Sequence, residues 1–241
     1  HTSVAESAVN WETTTLETPQ SAMGFPHLAV EDGGVMHVVY PLDNRTIVYI
    51  MSTDYGQTWT QPETVFAVTD PSTQAVANPR IAVDDRGDLH LVWTVNSRTL
   101  NWQGLTVNYA RSEDRGLNWN TVEVQRSLPD ESTVGWINVV VRNGSEVHLV
   151  WNRGVGSRLG RYHSWSPDYG INWTEPVAFM PEFVSGQTKW PMMEVDSAGI
   201  LHLITVADEP GGLTSPKYVF WDGSTWSPMI SFPESSNDLN T

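Results

Sequence analysis

The chain has 241 residues, enough for one large domain with a substantial core, and its 12 Trp, 18 Gly and 15 Pro favour short strands and many turns over long helices. Asp and Glu outnumber Lys and Arg by 28 to 13, and the formal charge of -15 disfavours nucleic acid and anionic lipid as partners. The absence of cysteine excludes thiolate metal sites and disulfides, and no apolar run approaches the roughly 18 residues that membrane insertion requires.

Four segments along the chain share one pattern: a short apolar strand, a tight turn of Asp, Asn or Gly, and a second strand that opens on His. These segments are FPHLAVEDGGVMHVVY at 25–40, NPRIAVDDRGDLHLVW at 78–93, INVVVRNGSEVHLVW at 137–151 and PMMEVDSAGILHLITV at 191–206. Their second strands open on His37, His90, His148 and His202. Since a residue repeated in every unit belongs to the scaffold, we interpret these histidines as structural and expect no metal site and no cofactor.

A third apolar run follows each hairpin and ends in a turn of the form Ser-x-Asp-x-Gly-x-x-Trp. The turn reads STDYGQTW from 52, SEDRGLNW from 112 and SPDYGINW from 166, with a shortened copy, WDGSTW, from 221. Asp accepts hydrogen bonds from backbone N–H groups two or three residues on, Gly supplies a positive φ, and Trp fills the crevice near the next unit. The residues to which we assign this structural role are Asp54, Gly56, Trp59, Asp114, Gly116, Trp119, Asp168, Gly170, Trp173, Asp222 and Trp226.

The unit is thus four antiparallel strands every 54–60 residues, which is typical of the blades of a propeller. The repeats span about 26–66, 79–126, 137–180 and 191–232, and residues 1–18 are expected to form the outer strands of an incomplete blade. An open arc of blades leaves strand edges and blade faces unpaired. We therefore expect this chain to be part of a ring of at least five blades.

The Ser-x-Asp turn resembles the Asp-box, and the whole repeat is similar to the sialidase-like (BNR/Asp-box) β-propellers. The resemblance covers nearly the whole chain. It implies an all-β fold, a single β-propeller domain over 1–241 with four full four-stranded antiparallel blades and a partial one. It is a resemblance of fold, and function does not follow from fold alone.

Function in a propeller depends on residues that differ between blades. The resemblance implies a binding face where the innermost strands begin, opposite the Ser-x-Asp turns, and non-repeated Arg, Trp and carboxylate side chains crowd into or beside the loops expected there. Trp stacks on sugar rings, while Arg binds carboxylate or phosphate in a fork. The candidate ligand-binding residues are His27, Arg80, Trp136, Arg158, Arg161, Trp190 and Asp208. The competing interpretation is a set of ordinary solvated loop residues.

A sialidase, as the resemblance implies, needs three arginines on the substrate carboxylate, a Tyr nucleophile paired with Glu, and an Asp general acid. The segment Pro79-Arg80-Ile81 places one Arg near the family's Arg-Ile-Pro motif, with the Pro on the wrong side. The other repeats have His27, Asn138 and Met192 in that register. Because Tyr49 and Tyr109 occupy matching third-strand positions, we interpret both as structural, and no Tyr–Glu pair can be placed.

The sequence therefore predicts a noncatalytic glycan- or protein-binding module that is extracellular or at the cell surface. Its expected partner is a glycan, with an acidic glycan as one option, or a protein surface. Three Asn-x-Ser/Thr sequons and only two Lys are compatible with that location. One alternative is a glycoside hydrolase of the exo-sialidase type with part of its site outside this sequence, and another is a scaffold domain of a larger surface protein.

Overall fold

The computed structural model describes residues 24–127, 134–153, 160–180, 191–208 and 214–232. These residues form four separate four-stranded antiparallel sheets, and within the described ranges there is no helix. In each sheet the strands lie side by side in chain order, as hairpin connections dictate. The predicted all-β fold of four-stranded antiparallel blades is confirmed. The predicted partial blade at 1–18 lies outside the described residues.

The four sheets follow the chain as blades 1 to 4. Blade 1 contains β1 (His27–Val30), β2 (Met36–Leu42), β3 (Thr46–Ser52) and β4 (Glu63–Ala67). Blade 2 contains β5 (Gln74–Val83), β6 (Leu89–Ser97), β7 (Gly104–Ser112) and β8 (Asn120–Arg126). Blade 3 contains β9 (Val134–Arg142), β10 (Glu146–Arg153), β11 (Gly160–Ser166) and β12 (Val177–Met180). Blade 4 contains β13 (Met192–Val195), β14 (Leu201–Asp208), β15 (Thr214–Trp221) and β16 (Ile230–Ser231).

Two inner strands begin earlier than the sequence pattern predicted. β5 starts at Gln74 and β9 at Val134, ahead of the expected starts near 79 and 137. Each strand continues through an irregularity in its pairing, where Asn78 in β5 and Trp136 in β9 adopt φ values of 54° and 49°. A bulge of this kind bends a strand without ending it. The segments expected to be loops before these strands are therefore partly paired with β6 and β10.

The core lies between the blades rather than within one of them. The inner strands contact one another in chain order, β1 with β5, β5 with β9 and β9 with β13. Apolar side chains on facing sheets fill each gap, as Tyr49 of blade 1 does with Ile81 and Leu91 of blade 2. The fully buried Trp93 lies in the apolar cluster between blades 1 and 2, and the fully buried Trp151 lies in the cluster between blades 2 and 3. The four blades thus form an arc with their inner strands along one side.

Candidate functional site

In blades 1 to 3 the Ser-x-Asp turn is closed by one set of hydrogen bonds. In blade 1 the Ser52 hydroxyl donates to Asp54 Oδ1 (2.8 Å), and the Gly56 N–H donates to the Ser52 Oγ (2.9 Å). The Thr58 N–H donates to Asp54 Oδ1 (2.8 Å), and Trp59 Nε1 donates to the Gly56 carbonyl oxygen (3.1 Å). Blades 2 and 3 repeat these bonds. The carboxylate is thus occupied by donors of its own turn.

Each of the turns in blades 2 and 3 lies on a tyrosine of the preceding blade, in a contact that we call the tyrosine junction. Tyr49 Oη is 2.8 Å from His37 Nδ1 and 3.2 Å from the carbonyl oxygen of Arg115, and the Trp119 ring packs edge-on against Tyr49. A Cβ on Gly116 would lie 2.1 Å from the Tyr49 ring, so only glycine fits there. The second tyrosine junction is built from His90, Tyr109, Tyr169, Gly170 and Trp173. The prediction that the turn's Trp packs towards the next blade was wrong, because it packs on the preceding one.

The inner strands enclose a central cavity of about 580 Å³. Four residues that the sequence placed in one register line it, and strand pairing shows the shared register directly. The pairs are His27 with Val39, Arg80 with Val92, Asn138 with Val150 and Met192 with Ile204. Two of the candidate residues, His27 and Arg80, are therefore brought together at this cavity from positions 53 residues apart.

Two of these side chains connect neighbouring inner strands. His27 Nδ1 accepts a hydrogen bond from the Ile81 N–H (3.2 Å), and Asn138 Nδ2 donates to the Pro191 carbonyl oxygen (2.8 Å). Burial, and secondarily the charge of Arg80, lowers the pKa of His27 to about 4. His27 is therefore neutral near pH 7, and its ring nitrogen serves as an acceptor between blades.

Arg80 is the one cationic side chain among the described residues that line the cavity, and Glu194 is the one carboxylate. Arg80 is half-buried, and burial lowers the pKa of its guanidinium, which nevertheless stays charged at neutral pH. Its Nη1 donates to the Pro79 carbonyl oxygen (2.9 Å). Glu194 is not among the candidates predicted from the sequence, although it follows Met192 by two residues in the same inner strand.

Trp136 stands at the bulge of β9, two residues before Asn138, and is half-buried. Its φ of 49° is uncommon for a bulky side chain, and such backbone strain gathers at functional sites. Asn78 has the same conformation two residues before Arg80 in β5. The bulge thus gives Trp136 and Asn78 equivalent positions on neighbouring strands, each two residues before a residue that lines the central cavity, and Trp136 itself is not among the described residues of the lining.

Of the four remaining candidates, one, Arg161, has a side chain within the described part of the structure. Arg161 was expected to reach the mouth of the cavity, but its side chain is fully buried between blades 3 and 4, where it donates to Asn152 Oδ1 and Thr205 Oγ1. Burial lowers its pKa to about 9. Asp208 ends β14, and its side chain lies outside the described part of the structure, as do Arg158 and Trp190 altogether.

No group of three or more His, Cys, Asp or Glu side chains in the described ranges is arranged to hold a metal ion. Among the same residues, no helix is long and apolar enough to cross a membrane.

Comparison with known proteins defines the class. Residues 43–149 match the BNR repeat-like domain family. The intramolecular trans-sialidase from Ruminococcus gnavus is similar in structure, with a TM-score of 0.63, 12% identity and coverage of 87% of this chain and 70% of that one. A protein of unknown function from Dyadobacter fermentans has a TM-score of 0.64 and 16% identity, with coverage of 86% and 68%. The α-L-arabinanase of Penicillium chrysogenum has a TM-score of 0.63 and 14% identity, with coverage of 89% and 68%.

No curated protein matches the chain at a significant level. The chain nevertheless has the fold of the sialidase-like β-propellers. Together with the match of residues 43–149 to the BNR repeat-like domain, this confirms the resemblance noted in the sequence. At 12–16% identity these likenesses establish the fold and leave the activity open.

Proposed function

We propose that this propeller is a noncatalytic glycan-binding module, extracellular or at the cell surface, whose central cavity holds an acidic sugar. The observation that carries the proposal is Arg80, a half-buried cation on the wall of a cavity in a chain of formal charge -15. A guanidinium can bind a carboxylate through two parallel hydrogen bonds. This interaction is stronger in a partly buried site than in water. The cavity of about 580 Å³ lies within the range typical of small-ligand sites.

The structural neighbours support a carbohydrate partner. One is a trans-sialidase solved with oseltamivir carboxylate and another is an arabinanase solved with arabinobiose. Trp136 occupies the position equivalent to Asn78, two residues before Asn138 of the cavity wall, and we propose that its ring stacks on a bound sugar.

The noncatalytic part of the proposal is supported by the tyrosines. All seven lie within the described ranges, and none is among the described residues that line the central cavity. Tyr49 and Tyr109 are committed to the tyrosine junctions, and burial raises the pKa of both hydroxyls, which opposes a nucleophilic role. A sialidase-type Tyr–Glu nucleophile would have to come from outside these residues.

The alternative is a glycoside hydrolase of the exo-sialidase type with part of its site outside this sequence. The likeness to the trans-sialidase favours it. Release of a fluorogenic group from a sialoside by the purified protein would establish this alternative and overturn the noncatalytic proposal.

The test of the binding site compares Arg80→Ala with Arg126→Ala, using calorimetric titration with a uronic-acid disaccharide and its neutral counterpart. Arg126 is an exposed arginine on β8 paired with Glu123, so the control removes the same charge far from the cavity. Arg142 is unsuited as a control, because it donates to Glu146 and to the Gly199 carbonyl oxygen of blade 4. Loss of a charged, partly buried hydrogen bond should weaken uronate binding by about 10–100-fold in Arg80→Ala only. The assignment would be overturned if the two variants weakened uronate binding equally. It would also be overturned if the protein bound a protein partner instead and Arg80→Ala left that binding unchanged.

We also propose that, in a larger ring, a further blade of the same repeat covers the face of blade 4 that is turned away from blade 3. His202 and Tyr218 repeat the His–Tyr pair of blades 1 and 2, yet the His202 side chain is 37% exposed while His37 and His90 are fully buried. Ile204 is 46% exposed, whereas Val92 in the same register is buried. In these 241 residues, Ile204→Ala should cost far less stability than Val92→Ala. A version of the protein that contains the next repeat should make the two costs equal, and unequal costs there would refute the further blade.

A further inference from the structure

A second cavity of about 500 Å³ lies between blades 3 and 4, beside the Ser-x-Asp turn of blade 4 and away from the inner strands. Its walls are mostly aromatic, and one carboxylate stands at its edge. The residues on which its chemistry depends are His163, Trp165, Glu175, Phe179, Trp221 and Trp226. We call it the aromatic pocket.

The aromatic pocket exists because blades 3 and 4 depart from the repeat at its wall. His163 pairs with Val150 in the register where blades 1 and 2 have Tyr49 and Tyr109. Trp221 pairs with Leu201 in the register where blades 1 to 3 have Ser52, Ser112 and Ser166, the first residue of the Ser-x-Asp turn. A tyrosine junction therefore cannot form between blades 3 and 4. The space that a junction fills between the other blades is here a cavity lined by aromatic side chains.

The rings present π surfaces at several orientations. Phe179 and Trp226 stack with centroids 4.2 Å apart and planes 16° apart, and Trp221 is tilted by 56° to Trp226. Trp165 stacks on His148 with the ring planes 6° apart. Rings that meet at such angles surround a compact ligand with negative π faces from more than one side.

The polar groups of the pocket are largely committed to one another. Trp226 Nε1 donates to His163 Nδ1 (3.2 Å), and His163 Nε2 is 3.0 Å from His148 Nδ1. The Ser224 hydroxyl donates to Asp222 (2.9 Å). A sugar, which needs many hydrogen-bonding partners, finds few here. Burial lowers the pKa of His163 to about 3, so its ring adds no positive charge near pH 7.

The remaining feature is Glu175. It is exposed, has no ion-pair partner within the part of the chain that the structure describes, and no Lys or Arg is among the described residues of the pocket. A carboxylate beside several π faces, in a chain with a formal charge of -15, attracts a cation and repels an anion. A soft organic cation, which needs no hydrogen bonds, satisfies every one of these conditions.

We propose that the aromatic pocket binds a quaternary ammonium group, held by cation–π contacts with Trp221, Trp226 and Trp165 and by the carboxylate of Glu175. This site is separate from the central cavity and does not depend on the function proposed for that cavity. The ammonium group could belong to a free small molecule or to a lipid headgroup, which share the same chemistry.

The test is calorimetric titration of the full chain with choline and with 3,3-dimethylbutan-1-ol, its uncharged isostere. Choline should bind about 5–30-fold more tightly, which is the range expected of a partly desolvated cation–π contact. Equal affinities would reduce the pocket to an apolar one and overturn the proposal, as would tighter binding of a neutral sugar such as glucose. A vesicle-binding assay distinguishes the two sources of the ammonium group. Binding to vesicles of phosphatidylcholine but not of phosphatidylglycerol indicates a lipid headgroup, whereas binding of choline without binding of either vesicle indicates a free molecule.

Two variants locate the binding. Trp221→Ser restores the residue of the other turns and should abolish choline binding. Glu175→Gln should weaken it by about 2–5-fold, as expected for a largely exposed ion pair. The matched control is Glu63→Gln, which removes an exposed carboxylate from β4 of blade 1 and should change nothing. If Trp221→Ser does not fold, Glu175→Gln alone decides, because an unchanged affinity there refutes the site. Uronate binding at the central cavity should be unaffected by all three.

Discussion

The junction between blades 2 and 3 and the junction between blades 3 and 4 use the same strand positions with different side chains. In the first, Tyr109 lies between His90 and the carbonyl oxygen of Tyr169, and Trp173 packs on it edge-on. In the second, His163 replaces the tyrosine, and Trp226 both packs on it and donates to it. The first junction is filled, while the second borders the aromatic pocket.

The difference shows how two exchanged side chains open a cavity within a repeated structure. The strand pairing at these positions is the same in blades 2, 3 and 4, so the backbone tolerates His in place of Tyr in blade 3 and Trp in place of Ser in blade 4. What changes is the packing between blades, where close contact with Gly170 is replaced by a cavity. The repeated positions pack the tyrosine junctions, and the two binding sites that we propose are formed by side chains that differ between blades.

The largest expected effect is the difference between Trp119→Ala and Trp226→Ala in the loss of free energy of unfolding. Trp119 packs on Tyr49 in a filled junction, so its removal should lower the free energy of unfolding by about 3–4 kcal/mol. Trp226 already borders a cavity, and its removal should cost about 1–2 kcal/mol. Urea denaturation of both variants measures the difference. Equal losses would mean that the two junctions are equally well packed.

A smaller effect is expected from a methyl group added at Gly116. Its φ is 91° and the new Cβ would lie 2.1 Å from the Tyr49 ring, so Gly116→Ala should cost about 2–3 kcal/mol through strain and overpacking. Gly33→Ala is the matched control, with a φ of 83° and open space around the added Cβ, and should cost about 1 kcal/mol. Thermal or urea denaturation that gives the same loss for both would show that the turn does not press on Tyr49.

The junction of blades 3 and 4 should be sensitive to acid. Burial, and secondarily His148, lowers the pKa of His163 to about 3, while an unfolded His titrates near 6.5. Below about pH 6.5 the unfolded chain binds a proton at this position that the folded chain does not. Lowering the pH from 7.5 to 5 should therefore decrease the free energy of unfolding by about 2 kcal/mol through this group. In His163→Phe the loss over that range should be smaller by this amount. An unchanged slope of unfolding free energy against pH would contradict the assignment.

The smallest effect concerns the turn carboxylates, which accept backbone hydrogen bonds within their own turn in blades 1 to 3 and also in the shortened turn of blade 4. Hydrogen bonds from the Thr58 side chain and backbone and from Ser52 lower the pKa of Asp54 to about 2, and those from Thr225 and Ser224 do the same for Asp222. Each carboxylate therefore stabilises the fold above about pH 4, and this contribution is lost as the pH falls through 2. Asp54→Asn and Asp222→Asn should lower the melting temperature at pH 7 and flatten its acid dependence to a similar extent. A clear difference between them would show that the shortened turn works differently.

Much of the fold was determined by local sequence. Alternating apolar residues, the hairpin turns and the Ser-x-Asp-x-Gly-x-x-Trp motif each act within one blade, so four blades and their register could be predicted from the residues alone. The same register placed His27, Arg80, Asn138 and Met192 in equivalent positions, and the structure shows all four at the central cavity.

Only the tertiary structure decided how the blades meet. Three features depend on contacts between residues 44 to 70 positions apart: which blade receives the indole of Trp119, whether Arg161 reaches solvent, and whether Trp221 borders a cavity. The sequence pattern states which face of a strand is apolar, but it does not state how closely two faces approach. That distance is set by the side chains of both blades together, because packing is a property of the pair and of neither blade alone.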